Sequence, residues 1–175
     1  QKAVFDAARW HDLGKVDPRF QAMLFDGDGL LASLAEIPLA KSGMPPQDLA
    51  RQLRARTKSK MPPRARHEAW SEQLVSAAFA ETSGGYDGDA ELVLHLIVSH
   101  HGHARPLLPL VSDPAGHTLT ANIDGVEVNA PLPDGVDLGT ADRFMRLNRR
   151  YGRWGLALLE AVVRCADMTI SQEGS

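Results

Sequence analysis

From Leu119 to Ala130 the chain alternates apolar and polar residues about Asp124-Gly125. Asp-Gly suits the tight turns that join paired strands, so the segment reads as a β-hairpin around residues 118–130. The other periodic segments run at the helical period, which makes the fold mainly α with one inserted hairpin. Val4, Phe5, Ala8 and Leu13, with Ala7 and Trp10, mark a first helix that closes near Gly14. Asp17-Pro18 reads as an N-cap with proline at the first helical position, opening a short helix over Arg19 to Phe25. Asp26-Gly27-Asp28-Gly29 is turn chemistry; it lacks the later ligands and closing glutamate of a calcium loop. Pro38, Gly43, Pro45 and Pro46 then break the chain, Gln47 to Arg56 reads as helical, and Lys58 to Arg64 as a mobile loop. Trp70, Leu74, Ala77 and Ala78 share one face of a helix over His67 to Glu81. Asp89 caps the next, Ala90 to His101, whose Leu92, Val93, Leu96 and Ile97 imply burial, and Gly102 ends it. Thr140 opens a long helix to about Ser171, in which Gly152 and Gly155 mark a bend or close packing. Residues 106–139 hold five prolines and read as an insertion.

The 175 residues suit one domain over 1–175 with a sizeable core. The chain opens on Gln1 in mid-helix, so a piece of a longer polypeptide is expected. No stretch approaches the ~20 apolar residues of a membrane span, and the first helix, with Asp6, Arg9, His11 and Asp12, is no signal peptide. A single cysteine, Cys165, excludes an internal disulfide, fits a reducing, cytoplasmic setting, and is expected to be packed. The net charge of −3 decides nothing about nucleic acid, but its distribution is uneven. Arg51, Arg54, Arg56, Lys58, Lys60, Arg64 and Arg66 fall in an acid-free run. Arg143, Arg146, Arg150 and Arg153 fall on one helical stripe. Either set is a solvated face or a track for a phosphate backbone.

Histidines and carboxylates stand at helix ends. His11-Asp12 closes the first helix, His67 opens another, His100-His101 closes a third, and Asp167 lies late in the last. Imidazole and carboxylate together suit borderline transition metals, and one carboxylate can bridge two ions. Adjacent ligands diverge by about 100° within a helix. A helix end removes that restriction.

The run Ala8-Arg9-Trp10-His11-Asp12-Leu13-Gly14-Lys15 is followed by Pro18-Arg19-Phe20-Gln21, Arg66-His67-Glu68, His100-His101-Gly102-His103-Ala104-Arg105-Pro106 and Arg164-Cys165-Ala166-Asp167. In that order these stretches resemble the HD superfamily of metal-dependent phosphohydrolases. Among its members they are most similar to the HD nuclease domain of the type I CRISPR-associated nuclease-helicase. The resemblance implies an HD-domain helical bundle with the hairpin inserted. It also implies one or two divalent transition metal ions (Mn, Fe, Co or Ni ahead of Mg or Zn) and cleavage of single-stranded DNA. The implied partners are a helicase, fused or separate, and an RNA-guided surveillance complex, with a role in antiviral defence. Carried over by position, His11, Asp12, His67, His100, His101 and Asp167 are the implied metal ligands, with Asp12 bridging. Asp12 and Lys15 are the implied catalytic residues, and Lys15, Arg66 and Arg105 the implied phosphate contacts. Such domains carry a further metal-binding histidine on a helix before the HD pair, and the residues before His11 contain none.

The expected chemistry is metal-assisted phosphodiester hydrolysis, by endonuclease and possible exonuclease action. Two alternatives remain open: a phosphohydrolase of nucleotides or cyclic nucleotides, and a catalytically weak HD module that binds nucleic acid. Trp10 and Trp70 could stack on bases, but core packing is the favoured reading. His95 reads as a hydrogen-bonded core histidine, His103 as a loop or outer-shell residue and His117 as exposed. Glu68 reads either as an acid orienting a ligand or as an acid at a helix N-terminus.

Overall fold

The computed structural model describes residues 1–82, 84–113, 116–132 and 138–173. It has α1 (Lys2–Trp10), a 3₁₀ turn (Leu13–Val16), α2 (Pro18–Leu24), α3 (Gly29–Leu34), α4 (Leu49–Lys58), α5 (His67–Glu81), α6 (Ala90–Ser99), strands β1 (Thr118–Ile123) and β2 (Val126–Pro131), and α7 (Leu138–Glu173). The mainly α class with one hairpin therefore holds. No helix among the described residues is long and apolar enough to cross a membrane.

α5 and α6 form the centre. Every residue from Leu92 to Ser99 is buried, so α6 has no solvent face. On α5 the first turns are buried on all sides, including His67, Glu68, Ser71 and Glu72 beside Trp70, Leu74 and Val75. A helix with no polar face must be enclosed. α1, α7 and the hairpin, together with the 3₁₀ turn, supply the enclosure. Trp10 and Trp70 both lie in this core, as the favoured reading had it.

The hairpin pairs Ile123 with Val126 and Thr118 with Pro131, so Asp124 and Gly125 form the two-residue turn, both at positive φ. Leu119, Ala121 and Ile123 of β1, with Val128 and Ala130 of β2, point into the core. Arg9 of α1 reaches the turn at 2.5 Å from Asp124.

Helix starts follow the capping residues. Asp17 accepts from the backbone N–H groups of Arg19 and Phe20, Asp28 from those of Leu30 and Leu31, and Asp89 from that of Leu92. Three features differ from the expectation. Asp28 opens a helix, so Asp26 to Gly29 is both turn and cap. Helix α4 covers Leu49–Lys58, taking in the start of what was read as a loop. Cys165 is exposed on α7 and not packed. Gly152 (φ 70°, ψ 161°) kinks α7, as the bend reading expected.

Candidate metal centre

His11 is the C-cap of α1, and Asp12 follows with φ −102° and ψ 3°, outside helical geometry. That break lets two successive side chains face one point. Gly14 then crosses α5 so closely that its backbone N–H donates to Ser71 Oγ at 2.8 Å. A Cβ on Gly14 would stand 2.2 Å from the His67 carbonyl oxygen. The glycine thereby brings Asp12 against the start of α5, where His67 Nε2 lies 3.1 Å from Asp12 Oδ1.

Two sets of donors converge. His67, His100 and His101 offer nitrogens, and His11, Asp12 and His100 offer two nitrogens and a carboxylate oxygen, each set within 4.8 Å. His100 belongs to both, so it stands between them. Asp167 of α7 enters from the far side, 3.3 Å from His11 Nε2. The six residues named as ligands from the sequence therefore meet in one place, drawn from α1 and its end, α5, the end of α6, and α7.

The tautomers follow from the hydrogen bonds. His11 Nδ1 donates to the Ala8 carbonyl at 2.8 Å, and His100 Nδ1 to that of Ile97 at 2.6 Å. A neutral ring that donates through Nδ1 leaves a lone pair on Nε2. On His100 that Nε2 is buried with no hydrogen-bond partner, and so is Nε2 of His67, since its approach to Asp12 lacks hydrogen-bond alignment. Buried polar atoms are rarely left unpaired, so two of them pointing into one cluster fit a cation that all of them face. His11 Nε2 also meets carboxylate oxygens of Asp12 at 3.5 Å and Asp167 at 3.3 Å. Lone pairs set against lone pairs hold together around positive charge, either a proton on His11 or a metal ion.

Electrostatics agree. Burial alone would raise the Asp12 carboxyl, but His67, His11 and Lys15 hold it well below the usual carboxylate range. Burial pushes the His100 imidazole down to about 3, against the pull of the Ile97 carbonyl and helped by the neighbouring histidines. Burial lowers His101 as well, with the Glu68 carboxylate opposing it. At neutral pH the centre thus combines an ionised carboxylate with a neutral imidazole, the protonation states a metal ligand needs.

Around this cluster, Lys15 Nζ binds Asp12 Oδ2 at 2.6 Å and the Ala40 carbonyl at 3.2 Å. Gln21 donates to the Lys15 carbonyl at 2.7 Å and exchanges bonds with the Leu39 backbone, fixing the lysine's base. Phe20 packs edge-on to His67 at 5.3 Å. The Phe20-Gln21 pair, quoted above only as likeness, therefore supports the centre. Glu68 is 1% exposed, with its carboxylate 3.6 Å from His67 Nδ1 and 3.1 Å from Arg66. That position favours the ligand-orienting reading.

Several basic residues are already engaged. Arg143 pairs with Glu72, Arg146 with Glu91 and Arg150 with Asp89. Three of the four arginines of the α7 stripe are thus tied to α5 and to the start of α6, which weighs against the phosphate-track reading. Arg105 pairs with Glu160 at 3.0 Å, and Glu160 also bonds His95 Nε2 at 2.7 Å. His95 is the core histidine expected, and His117 is exposed. His103 lines a cavity beside the centre together with Arg56 and Arg64, two residues not singled out from the basic run.

A family model described as Cas3, HD domain, matches residues 2–163, which covers all the clustered residues except Asp167. No curated protein and no solved structure matched the chain. The chain belongs to the Cas3 HD-domain family, and at the level of that family it is a CRISPR-associated HD nuclease domain.

Proposed function

We propose that this member of the Cas3 HD family is a metal-dependent nuclease that hydrolyses phosphodiester bonds of single-stranded DNA. It would form the nuclease part of an interference effector, working with a helicase, fused or separate, and an RNA-guided surveillance complex. One observation carries the reading: histidines and carboxylates from four helices converge, with two buried imidazole nitrogens unpaired. His11, Asp12, His67, His100, His101 and Asp167 would hold one or two divalent ions, from Mn, Fe, Co or Ni. His100 belongs to both sets, and Asp12 Oδ1 lies 3.1 Å from His67 of the other. When bound, such an ion supplies Lewis acidity and lowers the pKa of a water near a phosphoryl group.

The chain's own residues do the rest. Asp12 orients the centre and balances its positive charge. Lys15, 2.6 Å from Asp12, places an ammonium where charge grows on phosphoryl or leaving oxygens. Arg66 and Arg105, each with one edge on a carboxylate, are the further phosphate contacts of this reading. A single strand bends into such a centre more readily than a stiff duplex.

The test is nicking of circular single-stranded DNA with added Mn, Co or Ni, comparing wild type with Asp12→Ala. Metal-dependent nicking that falls by ~10³ or more in the variant is expected. Folded, metal-loaded wild type that cuts no DNA but hydrolyses nucleotides or cyclic nucleotides would replace the nuclease reading.

A further inference from the structure

Beside the His67/His101 side of the centre lies a cavity of about 460 Å³ lined by Phe20, Arg56, Arg64, Arg66, His67 and His103, among others. Three guanidiniums face it with one carboxylate, that of Glu68. The cavity is electrostatically unfinished. Arg56 is half-buried and, among the described residues, bonds only neutral acceptors, the carbonyls of Pro62 and Ala65. Burial and the nearby Arg66 charge push the Arg56 guanidinium below its ordinary pKa, as happens when like charges crowd together without an anion. Arg64 has no hydrogen bond or ion pair among the described residues.

Arg64 is also held in a costly conformation. Its φ is +63°, in the left-handed region that side chains other than glycine, asparagine and aspartate seldom adopt. Strain at one residue, with its side chain lining a basic cavity next to a reaction centre, marks a functional position. The α5 N-terminus opens onto the same space, and its N-cap Arg66 supplies no side-chain acceptor to the first-turn N–H groups.

We propose that this cavity is a subsite for a phosphate of the strand flanking the one at the metal centre, with Arg64 as its principal contact and Arg56 and Arg66 as its walls. The ligand class is a polynucleotide backbone, because a chain carries a further phosphate beyond the one at the centre, whereas a nucleoside monophosphate carries none. A lone nucleotide or a cyclic phosphodiester would leave the subsite unused. The proposal rests on the nuclease reading for the identity of the ligand, but its test is binding and needs no turnover.

The experiment measures the affinity of a short fluorescent single-stranded oligonucleotide by anisotropy, in EDTA, between about 50 and 200 mM salt. Wild type is compared with Arg64→Lys and Arg64→Gly; the glycine variant suits the positive φ and should melt no lower than wild type. Arg64→Gly is expected to weaken binding about tenfold at the lowest salt and to flatten the salt slope by ~0.7, the loss of one phosphate contact. Arg64→Lys should keep the slope. Equal affinity and slope in wild type and Arg64→Gly would overturn the subsite. Cleavage of the same oligonucleotide with Mn, run alongside, separates the two ideas. Binding coupled to Arg64 without cleavage keeps the subsite and sinks the nuclease reading; cleavage with binding indifferent to Arg64 does the reverse.

Discussion

Glu160 and His95 meet at 2.7 Å in the interior, one on α7 and the other in the middle of α6, and the imidazole has no exposed surface. The second carboxylate oxygen of Glu160 takes Arg105, just beyond the His100-His101 pair. A single carboxylate therefore fastens the chain on either side of two candidate ligands.

Removing that carboxylate should be expensive. Glu160→Ala would leave a buried imidazole and a guanidinium without their partner, at a cost of ~3 kcal/mol in urea unfolding. The double change His95→Leu with Glu160→Leu should cost less than the single alanine change, since it strands Arg105 alike but leaves no buried imidazole without a partner. A double variant no more stable than the single one would contradict this account.

Metal should stabilise the fold through the histidine cluster. At a Mn concentration about 100 times its Kd, binding adds ~2.7 kcal/mol, a rise of roughly 5–10 °C in Tm over the EDTA-treated protein. His101→Ala, at the exposed end of the cluster, should cut that rise at least by half. An unchanged rise in the variant would place the metal elsewhere.

Gly14→Ala should damage fold and centre together. The new methyl would sit 2.2 Å from the His67 carbonyl oxygen, 2.7 Å from the Ser71 backbone nitrogen and 2.8 Å from Trp70 Cβ. None of these is the tip of a flexible side chain. We expect a loss of ~3 kcal/mol in chemical denaturation, at the upper end for overpacking, together with a smaller Mn-induced rise in Tm. Wild-type stability in this variant would mean that the crossing is looser than described.

Asp89 gives a prediction with a definite sign. Burial would raise its carboxyl, but the Tyr151 hydroxyl, the Arg150 guanidinium and the Leu92 N–H together lower it below the ordinary 3.8. A group depressed in the folded state stabilises above its unfolded pKa and loses that contribution as pH falls toward the folded value. Asp89→Asn keeps a capping oxygen and removes the charge. It should cost ~1 kcal/mol near neutral pH, and the gap to wild type should close as pH drops below 3.8. A gap that stays constant into acid would show that the charge is not what matters.

Local chemistry made much of this legible beforehand. The Asp124-Gly125 turn, the Asp17 and Asp89 caps and the bounds of α5 all depend on residues close in sequence, and they came out as read. The six candidate ligands were named through the family likeness, and the fold brings them together at helix ends. What escaped notice depends on distant partners. The pairing of Arg143, Arg146 and Arg150 was not visible because Glu72, Glu91 and Asp89 lie far away along the chain. The subsite role of Arg56 and Arg64 arises only when α4 and the following loop fold back beside His67.

Where Gly14 presses on α5, main chain meets main chain. Peptide groups have no rotamers to exchange, so the gap from Asp12 to His67 behaves like a machined datum against which the other dimensions are set. Adjustment to an arriving substrate then belongs to the opposite jaw, where His101 sits exposed just past the end of α6. The centre is in this sense a vice with one fixed face, and a hydrogen atom in place of a side chain is what fixes it.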